Sequence, residues 1–290
     1  MLTPWRKFIA SRPHIPYIAP ISLWIIVFVI GPLLVIFYFS FLKTSATGQI
    51  TDDLTLAHYL ALLDPNYLTI LLRTLAYALI TNIACLLIGY PLAFWIVQYG
   101  GKWKNLFLMM VVLPSWTCYL IRIYALRTLI AHNGMINSIL LNLKIISEPI
   151  DIMYTPLIVV IGLIFTWLPF MVLPIYASLE GLNQSLLEAS LDLGASPLER
   201  FLTIILPLTK GGIFAGTILV FIPSLGEWLI PALLGGAKIM MAGNLVTLHF
   251  ITAGNIPAGS SIAAVLTAII ILIIYLFTKL GGEEALERIV

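Results

Sequence analysis

Glu188-Ala189-Ser190-Leu191-Asp192-Leu193-Gly194, continued through Ile204-Ile205-Leu206-Pro207, forms the longest polar interval between two strongly apolar segments on the C-terminal side of the chain. Its helix signals can be read residue by residue. Ser185 stands three residues before Glu188, the spacing of a capping box, in which the hydroxyl accepts an orphan N–H of the first turn and the carboxylate reaches back. That helix is expected to run to about Leu193, and Gly194 suits the left-handed position that ends a helix. Ser196-Pro197-Leu198-Glu199 repeats the device, with Ser as N-cap, Pro at the first helical position and Glu at the third. The second helix should stop or kink at Pro207. The pattern predicts two short helices joined by a sharp elbow at Gly194.

On either side of this interval the chain is strongly apolar. Hydrophobic residues make up 61% of its 290 residues and charged residues 10%, and the mean hydropathy is +1.06. A soluble chain of that length needs far more polar surface, so a polytopic all-α membrane protein is expected. A net charge of +2 without a basic cluster argues against a nucleic-acid partner. Cys85 and Cys118 fall far apart in apolar segments and read as small buried residues, not as a disulfide or metal pair. His14, His58, His132 and His249 are scattered without ligand spacing.

Six stretches are long and apolar enough to span a bilayer: 18–42, 74–98, 106–129, 155–179, 211–234 and 260–280. The first exceeds the apolar region of a signal peptide and lacks a convincing cleavage site, so it reads as an uncleaved transmembrane helix. Residues 43–66 are expected as a polar loop, 131–151 as a mixed segment with a short interfacial helix, and 235–257 as an irregular loop. Gly89-Tyr90-Pro91, Pro114, Pro169, Pro174 and Pro223 interrupt spans. In lipid, broken backbone is tolerated where it is buried in protein or lines a water-filled cavity, so these breaks point toward a translocation path. Each also reads as a kink made for packing. Six spans put both termini on one side. With that side cytoplasmic, the inner loops hold nine of the 15 Lys and Arg residues, a positive-inside bias that places the Glu188 interval in the cytoplasm.

The spacing Glu-Ala-small, three residues, Gly, nine residues, Ile-any-Leu-Pro resembles the EAA loop of the permease subunits of ABC importers. The one departure is Ser190 for the second Ala of that motif, and Ser is small too. Read from residues alone, the same stretch is also an amphipathic helix lying on the membrane surface. Further stretches are similar to the permease of the spermidine/putrescine ABC importer family over nearly the whole chain. They are Leu62-Leu63-Asp64-Pro65, Gly89-Tyr90-Pro91, Ile121-Arg122-Ile123-Tyr124, Gly226-Glu227-Trp228-Leu229-Ile230-Pro231, Leu234-Gly235-Gly236 and Gly243-Asn244-Leu245. Asn255-Ile256-Pro257 departs from the Asp-Trp-Pro that relatives often carry, losing an acid and an aromatic.

The resemblance implies an all-α type I ABC importer permease fold with six transmembrane helices. Residues 67–281 would form the permease core, with the EAA loop at about 184–207. Residues 1–66 would supply a cytoplasmic segment, the first span and an outer loop, and 282–290 a cytoplasmic tail. It further implies that Glu188, Ala189, Ser190, Asp192, Gly194, Ile204, Leu206 and Pro207 dock onto an ATPase subunit. The implied partners are a second permease subunit, two ATPase subunits carrying ATP and Mg, a periplasmic polyamine-binding protein and the lipids of a bacterial inner membrane. No cofactor is expected on this chain, and no enzyme activity. A phosphate cradle needs G-x-x-x-x-G-K-[ST]; Gly101-Lys102 comes nearest, but Trp103 follows. Transport would proceed by alternating access, with nucleotide drawing the elbow helices together.

A polyamine needs carboxylates for its ammonium groups and aromatic faces for its methylenes. Glu227 and Trp228 in the fifth span, with Trp116 and Tyr119 in the third, are the candidates. Each aromatic also reads as bundle packing or an interfacial belt. An acid in an apolar span is expensive and tends to face water or a partner, and for Glu227 that partner is either Arg122 or the travelling cargo. Arg122 and Arg127 are expected to snorkel outward or pair with an acid. Other readings stay open: an ABC permease for iron, thiamine or an anion, or a secondary transporter or channel, although neither a repeated half nor a selectivity filter is visible. A membrane enzyme lacks a nucleophile or metal set.

Overall fold

A computed structural model describes residues 15–45 and 49–281. The basic N-terminal residues Arg6, Lys7 and Arg12, and the charged tail 282–290, lie outside the described residues. Two compact units are present: one contains the residues up to 63 together with 248–265, the other residues 64–247 together with the chain from 266 on.

In the first unit, residues 15–39 form one helical run with a π-helical turn at Ile26–Ile30. None of its apolar window Pro20–Phe39 is buried inside the protein, as befits a helix whose solvent is lipid or another chain. The predicted polar loop is an antiparallel hairpin, Leu42–Thr44 with Ile50–Leu54, followed by a short helix Ala57–Ala61. A 2.6 Å hydrogen bond between the Ser40 and Tyr59 hydroxyls ties that helix back, and the Thr44 hydroxyl donates to Asn255 Oδ1 at 2.8 Å.

The second unit is organised on the 35-residue helix Pro65–Tyr99, about 52 Å long at 1.5 Å per residue. It begins well before the apolar run because Asp64 caps it, accepting the Asn66 N–H at 2.8 Å, and Pro65 occupies the first turn. Helices Pro156–Glu180 and Lys210–Leu225 pack against it and against each other. Small residues permit the approach. A Cβ on Gly89 would meet the Met171 side chain at 3.2 Å, and one on Gly216 would meet Met171 Sδ at 2.7 Å. One core cluster gathers Cys85, Tyr90, Ala93, Ile96, Met171 and Ile175; a second gathers Ile123, Ile158, Leu163, Ile230, Leu234 and Met241.

Four described helices are long and apolar enough to cross a membrane, and the total reaches six when each of two bent pairs is counted as a single span. Residues 101–116 and 119–142 bend by 96°, and residues 197–208 and 210–225 by 62°. The helices run straight through Pro91, Pro169 and Pro174, so those prolines do not end their elements. The breaks fall instead at residues 117–118, at Thr209 and at 226–228. The fifth apolar stretch therefore does not run as helix to Leu234, because the helix ends at Leu225 and restarts at Leu229. Cys118, read as buried, is exposed at the head of helix Tyr119–Ile130, whereas Cys85 is fully buried.

Candidate functional site

Two regions of the second unit concentrate the candidate residues. The first is the elbow. Its leading helix is Gln184–Asp192, and its N-cap is Asn183, not Ser185. Asn183 Oδ1 accepts both the Ser185 N–H at 3.0 Å and the Ser185 hydroxyl at 2.8 Å. The helix starts one residue before Ser185, so that serine lies inside the first turn as a donor and cannot be the cap. The C-terminus follows the sequence reading. Gly194 has φ +77°, its N–H donates to Leu191 O at 2.9 Å, and the Ala195 N–H donates to Ser190 O at 3.0 Å. This is the paired closure of a Schellman motif. Ser196 and Glu199 form the predicted capping box, with the Ser196 N–H donating to Glu199 Oε2 at 2.8 Å and the Glu199 N–H to Ser196 Oγ at 3.3 Å.

Burial sorts the motif residues. Ser190 is the buried residue of its helix, and its hydroxyl donates to Leu187 O at 2.7 Å, so the position calls for a small side chain. Glu188, Ala189, Asp192, Gly194 and Pro207 are exposed, while Ile204 and Leu206 are half-buried. Leu186 and Leu191 are exposed as well, and Leu193 is 88% exposed, leaving an apolar surface uncovered by this chain. The second elbow helix, residues 197–208, turns at Thr209, two residues beyond Pro207. Thr209 donates its hydroxyl to Ile205 O at 2.8 Å, so the Tyr90 hydroxyl, 2.9 Å away, donates to Thr209 Oγ1. Phe201 meets Tyr90 and Phe94 edge-on, at 5.7 and 6.1 Å between centroids. The Gly89-Tyr90-Pro91 stretch is thus the seat of the second elbow helix. A cleft of about 470 Å³ opens beside the elbow, lined by Pro174, Ser178, Gly181, Leu186 and Gly212 among others.

The second region is the helix break at 226–228. Glu227, 7% exposed, caps the restarting helix. Its Oε1 accepts the Leu229 N–H at 2.9 Å and the Ile230 N–H at 3.4 Å. Tyr119 lies beside this carboxylate, its buried hydroxyl making no hydrogen bond of normal geometry. Arg122 stacks over the Tyr119 ring at 5.8 Å and donates from Nη1 to Pro114 O at 3.1 Å. Arg122 is 9% exposed, so it does not snorkel outward, and among the described residues it forms no ion pair with an acid. The Arg122–Glu227 ion pair is not formed; the one ion pair within 4.0 Å among the described residues joins Lys104 and Glu180. The guanidinium instead donates to Pro114 O, which also accepts from the Thr117 hydroxyl and N–H, beside the 96° bend. Of the four aromatic and acidic candidates, Tyr119 and Glu227 come together. Trp228, next to Glu227 in sequence, is 47% exposed, and Trp116 is 73% exposed on the turn Leu113–Trp116.

Asn183, Thr209 and Tyr90 were not among the expected site residues. Asn183 was readable, since Asn is a strong N-cap and stands just before the apolar periodicity begins. The Tyr90–Thr209 pair was not, because its members are 119 residues apart.

The profile of the binding-protein-dependent transport system inner membrane component matches residues 86–280. The chain belongs to this family. The permease is 40% identical over 262 residues to the spermidine/putrescine transport system permease protein PotB of Haemophilus influenzae, covering 90% of this chain and 92% of that one. It is 41% identical over 256 residues to PotB of Escherichia coli K12, covering 88% and 93%. Solved structures share its fold. A chain of a bacterial ABC transporter involved in the import of the acidic polysaccharide alginate superposes with a TM-score of 0.74 at 14% identity, over 96% of this chain and 97% of that one. A chain of the inward-facing MetNI methionine ABC transporter gives 0.56 at 15% identity, over 76% and 98%. The permease has the type I ABC importer fold and is a transport component, not an enzyme.

Proposed function

We propose that this permease is a subunit of an ATP-driven spermidine/putrescine importer of a bacterial inner membrane. The observation that carries the cargo is the 40% identity to spermidine/putrescine permeases along nine-tenths of both chains. In this reading residues 67–281 form the permease core, and both termini and the elbow face the cytoplasm. A second permease subunit completes the translocation path, and a periplasmic polyamine-binding protein delivers the cargo. Two ATPase subunits hold ATP and Mg. The exposed face bearing Glu188, Ala189, Asp192 and Gly194 seats in the ATPase, while Ser190, Ile204, Leu206 and Pro207 shape and anchor the elbow. Its stiffness supports this role: caps at Asn183 and Ser196 and the closure at Gly194 leave few backbone groups free to give way. Glu227 with Tyr119, and exposed Trp228 and Trp116, supply a carboxylate and aromatic faces to a passing polycation.

Uptake into vesicles holding the whole complex tests the cargo. Putrescine and spermidine should accumulate on ATP addition, and unrelated solutes such as thiamine should not; the reverse pattern would overturn the polyamine reading. The path is tested by Glu227→Gln. Glutamine keeps an Oε1 acceptor for the Leu229 and Ile230 N–H groups, so the fold should survive and assembly should be normal. Polyamine-stimulated ATPase activity and uptake should fall about tenfold, the scale of a single lost charge contact. Unchanged uptake would remove Glu227 from the path.

A further inference from the structure

The stretch Gly243-Asn244-Leu245 has no part in the site as described, yet its surroundings are built with unusual economy. Residues 226–228 leave helical geometry where the bent pair 197–208 and 210–225 ends, and the backbone groups freed there need partners. Glu227 satisfies the N–H groups that follow it. The turn Met241–Asn244 packs against the carbonyls of this segment, and the one it bonds is Trp228 O, which also takes the Ala232 N–H at 3.2 Å. Gly243 lies so close that a Cβ there would come within 2.6 Å of Gly226 O and 2.7 Å of Glu227 O. Asn244 Nδ2 donates to Trp228 O at 2.7 Å, while its Oδ1 accepts the Met241 N–H at 3.0 Å. The two partners fix which way the amide faces, and both halves of it are used. The turn is itself fixed. Ala242 N–H donates to Thr74 Oγ1 at 2.8 Å, and Thr74, 1% exposed on the long helix, passes its own proton to Ile70 O at 2.7 Å. Met241 and Leu245 are buried, Met241 among Ile123, Ile158 and Ile230.

We propose that Asn244 is a positioning residue for the Glu227–Trp228 wall, and that the Met241–Asn244 turn, hitched to the long helix at Thr74, holds that wall in its cargo-facing geometry. The proposal rests on the path reading above and adds to it the residues that set the wall. Asn244 touches no cargo; it acts by fixing the Trp228 carbonyl and hence the direction in which the Trp228 ring and the Glu227 carboxylate point. Thr74 acts one step further back, its single hydroxyl both donating to Ile70 O and accepting from the Ala242 N–H.

The test uses the complete transporter with its partner subunits, in lipid vesicles. Asn244→Asp keeps an acceptor for Met241 and loses the donor to Trp228. The apparent KM for putrescine and spermidine uptake should rise about tenfold while kcat stays within about twofold. Backbone amides of residues 226–235 should exchange hydrogen about tenfold faster than in the unmodified complex, with the elbow amides unchanged. Thr74→Val should reproduce the faster exchange and the higher KM, and Thr74→Ser should restore both. Should Asn244→Asp fail to assemble, the Thr74→Val and Thr74→Ser pair decides on the same two measurements. An unchanged KM, or a fall in kcat at constant KM, overturns the positioning role. An unmodified complex that takes up neither polyamine overturns the cargo reading instead. In that case exchange at 226–235 still decides the positioning: faster exchange in Asn244→Asp and Thr74→Val supports it, and unchanged exchange overturns it.

Discussion

The elbow at 183–209 and the break at 226–244 are both interruptions of helix, and they differ in how far away their backbone partners lie. The elbow finds its partners locally. Asn183 caps the residue two positions on, Ser196 and Glu199 exchange bonds three apart, and Gly194 and Ala195 close the turn behind them. The break adds long-range bonds to local ones: Glu227 caps Leu229 and Ile230 and the Ala232 N–H reaches Trp228 O, but Trp228 O is also met from 16 residues away, and the turn that meets it hangs from Thr74, 168 residues from Ala242. The elbow is also exposed, with Leu193 at 88%, whereas Glu227 is 7% exposed. A self-contained, exposed element can move as a rigid body when another subunit pushes it. An element tied to the bundle from several sides keeps its shape only while the bundle keeps its own. The long helix serves both, carrying Thr74 at one region and Tyr90 at the other, 16 residues or about 24 Å apart along its axis.

The largest expected effect sits at the break. Gly243→Val places a side chain against two backbone carbonyls that cannot rotate away, a cost of about 3 kcal/mol or more. The complex should fail to assemble in membranes, measured as recovered intact transporter after mild solubilisation. Normal recovery would break the comparison, because the close approach at 226–227 would then be dispensable.

Gly194 gives the complementary case. Among the described residues, chain neighbours aside, nothing lies within 4 Å of a Cβ there, so the internal penalty is the positive φ alone, about 1 kcal/mol. Gly194→Asp should insert and assemble with near-normal yield yet lose uptake, with ATP hydrolysis no longer coupled to it. Gly194→Ala should lose much less. Equal losses in the two variants would trace the effect to the backbone, not to a surface in contact with another subunit.

Two smaller substitutions sharpen the contrast. Tyr90→Phe removes a buried hydrogen bond between the long helix and the second elbow helix and should lower stability by about 1 kcal/mol, read as a fall in the unfolding midpoint of the purified complex. Asn183→Ala should also lower stability, by roughly 0.5–1 kcal/mol for a lost cap, and Ser185→Ala by only a few tenths, since Ser185 is not the cap. Loosening of the leading elbow helix would be read by hydrogen exchange over residues 184–192. The reverse order of those two effects would return the cap to Ser185.

Much of the elbow could be read in advance because its determinants are neighbours in sequence. Gly194 as the left-handed closure and Ser196-Pro197-Leu198-Glu199 as a capping box both stand in the structure as the residue types require. The first cap was misplaced by two residues because Ser185 and Glu188 have the right spacing, while Asn183 wins by starting the helix earlier. Glu227 was recognisable as an unusual acid in an apolar stretch, but its partners were not, and neither of the two alternatives weighed for it includes the cap it makes for Leu229 and Ile230.

By itself the sequence determined that this chain lives in a membrane, that apolar runs of spanning length alternate with short polar intervals, and where one of those intervals folds into a capped elbow. These follow from composition, run length and bonds that close within a few residues, all of which act before any tertiary contact forms. Only the tertiary structure decided which prolines a helix absorbs, where the fifth apolar stretch breaks, that Arg122 turns inward to Tyr119 and Pro114, and that Thr74 and Asn244 hold the broken backbone. In a bilayer interior an unpaired backbone group has no water to turn to, so its partner is whichever side chain the packing of distant helices brings within reach, and no local pattern records which one that is.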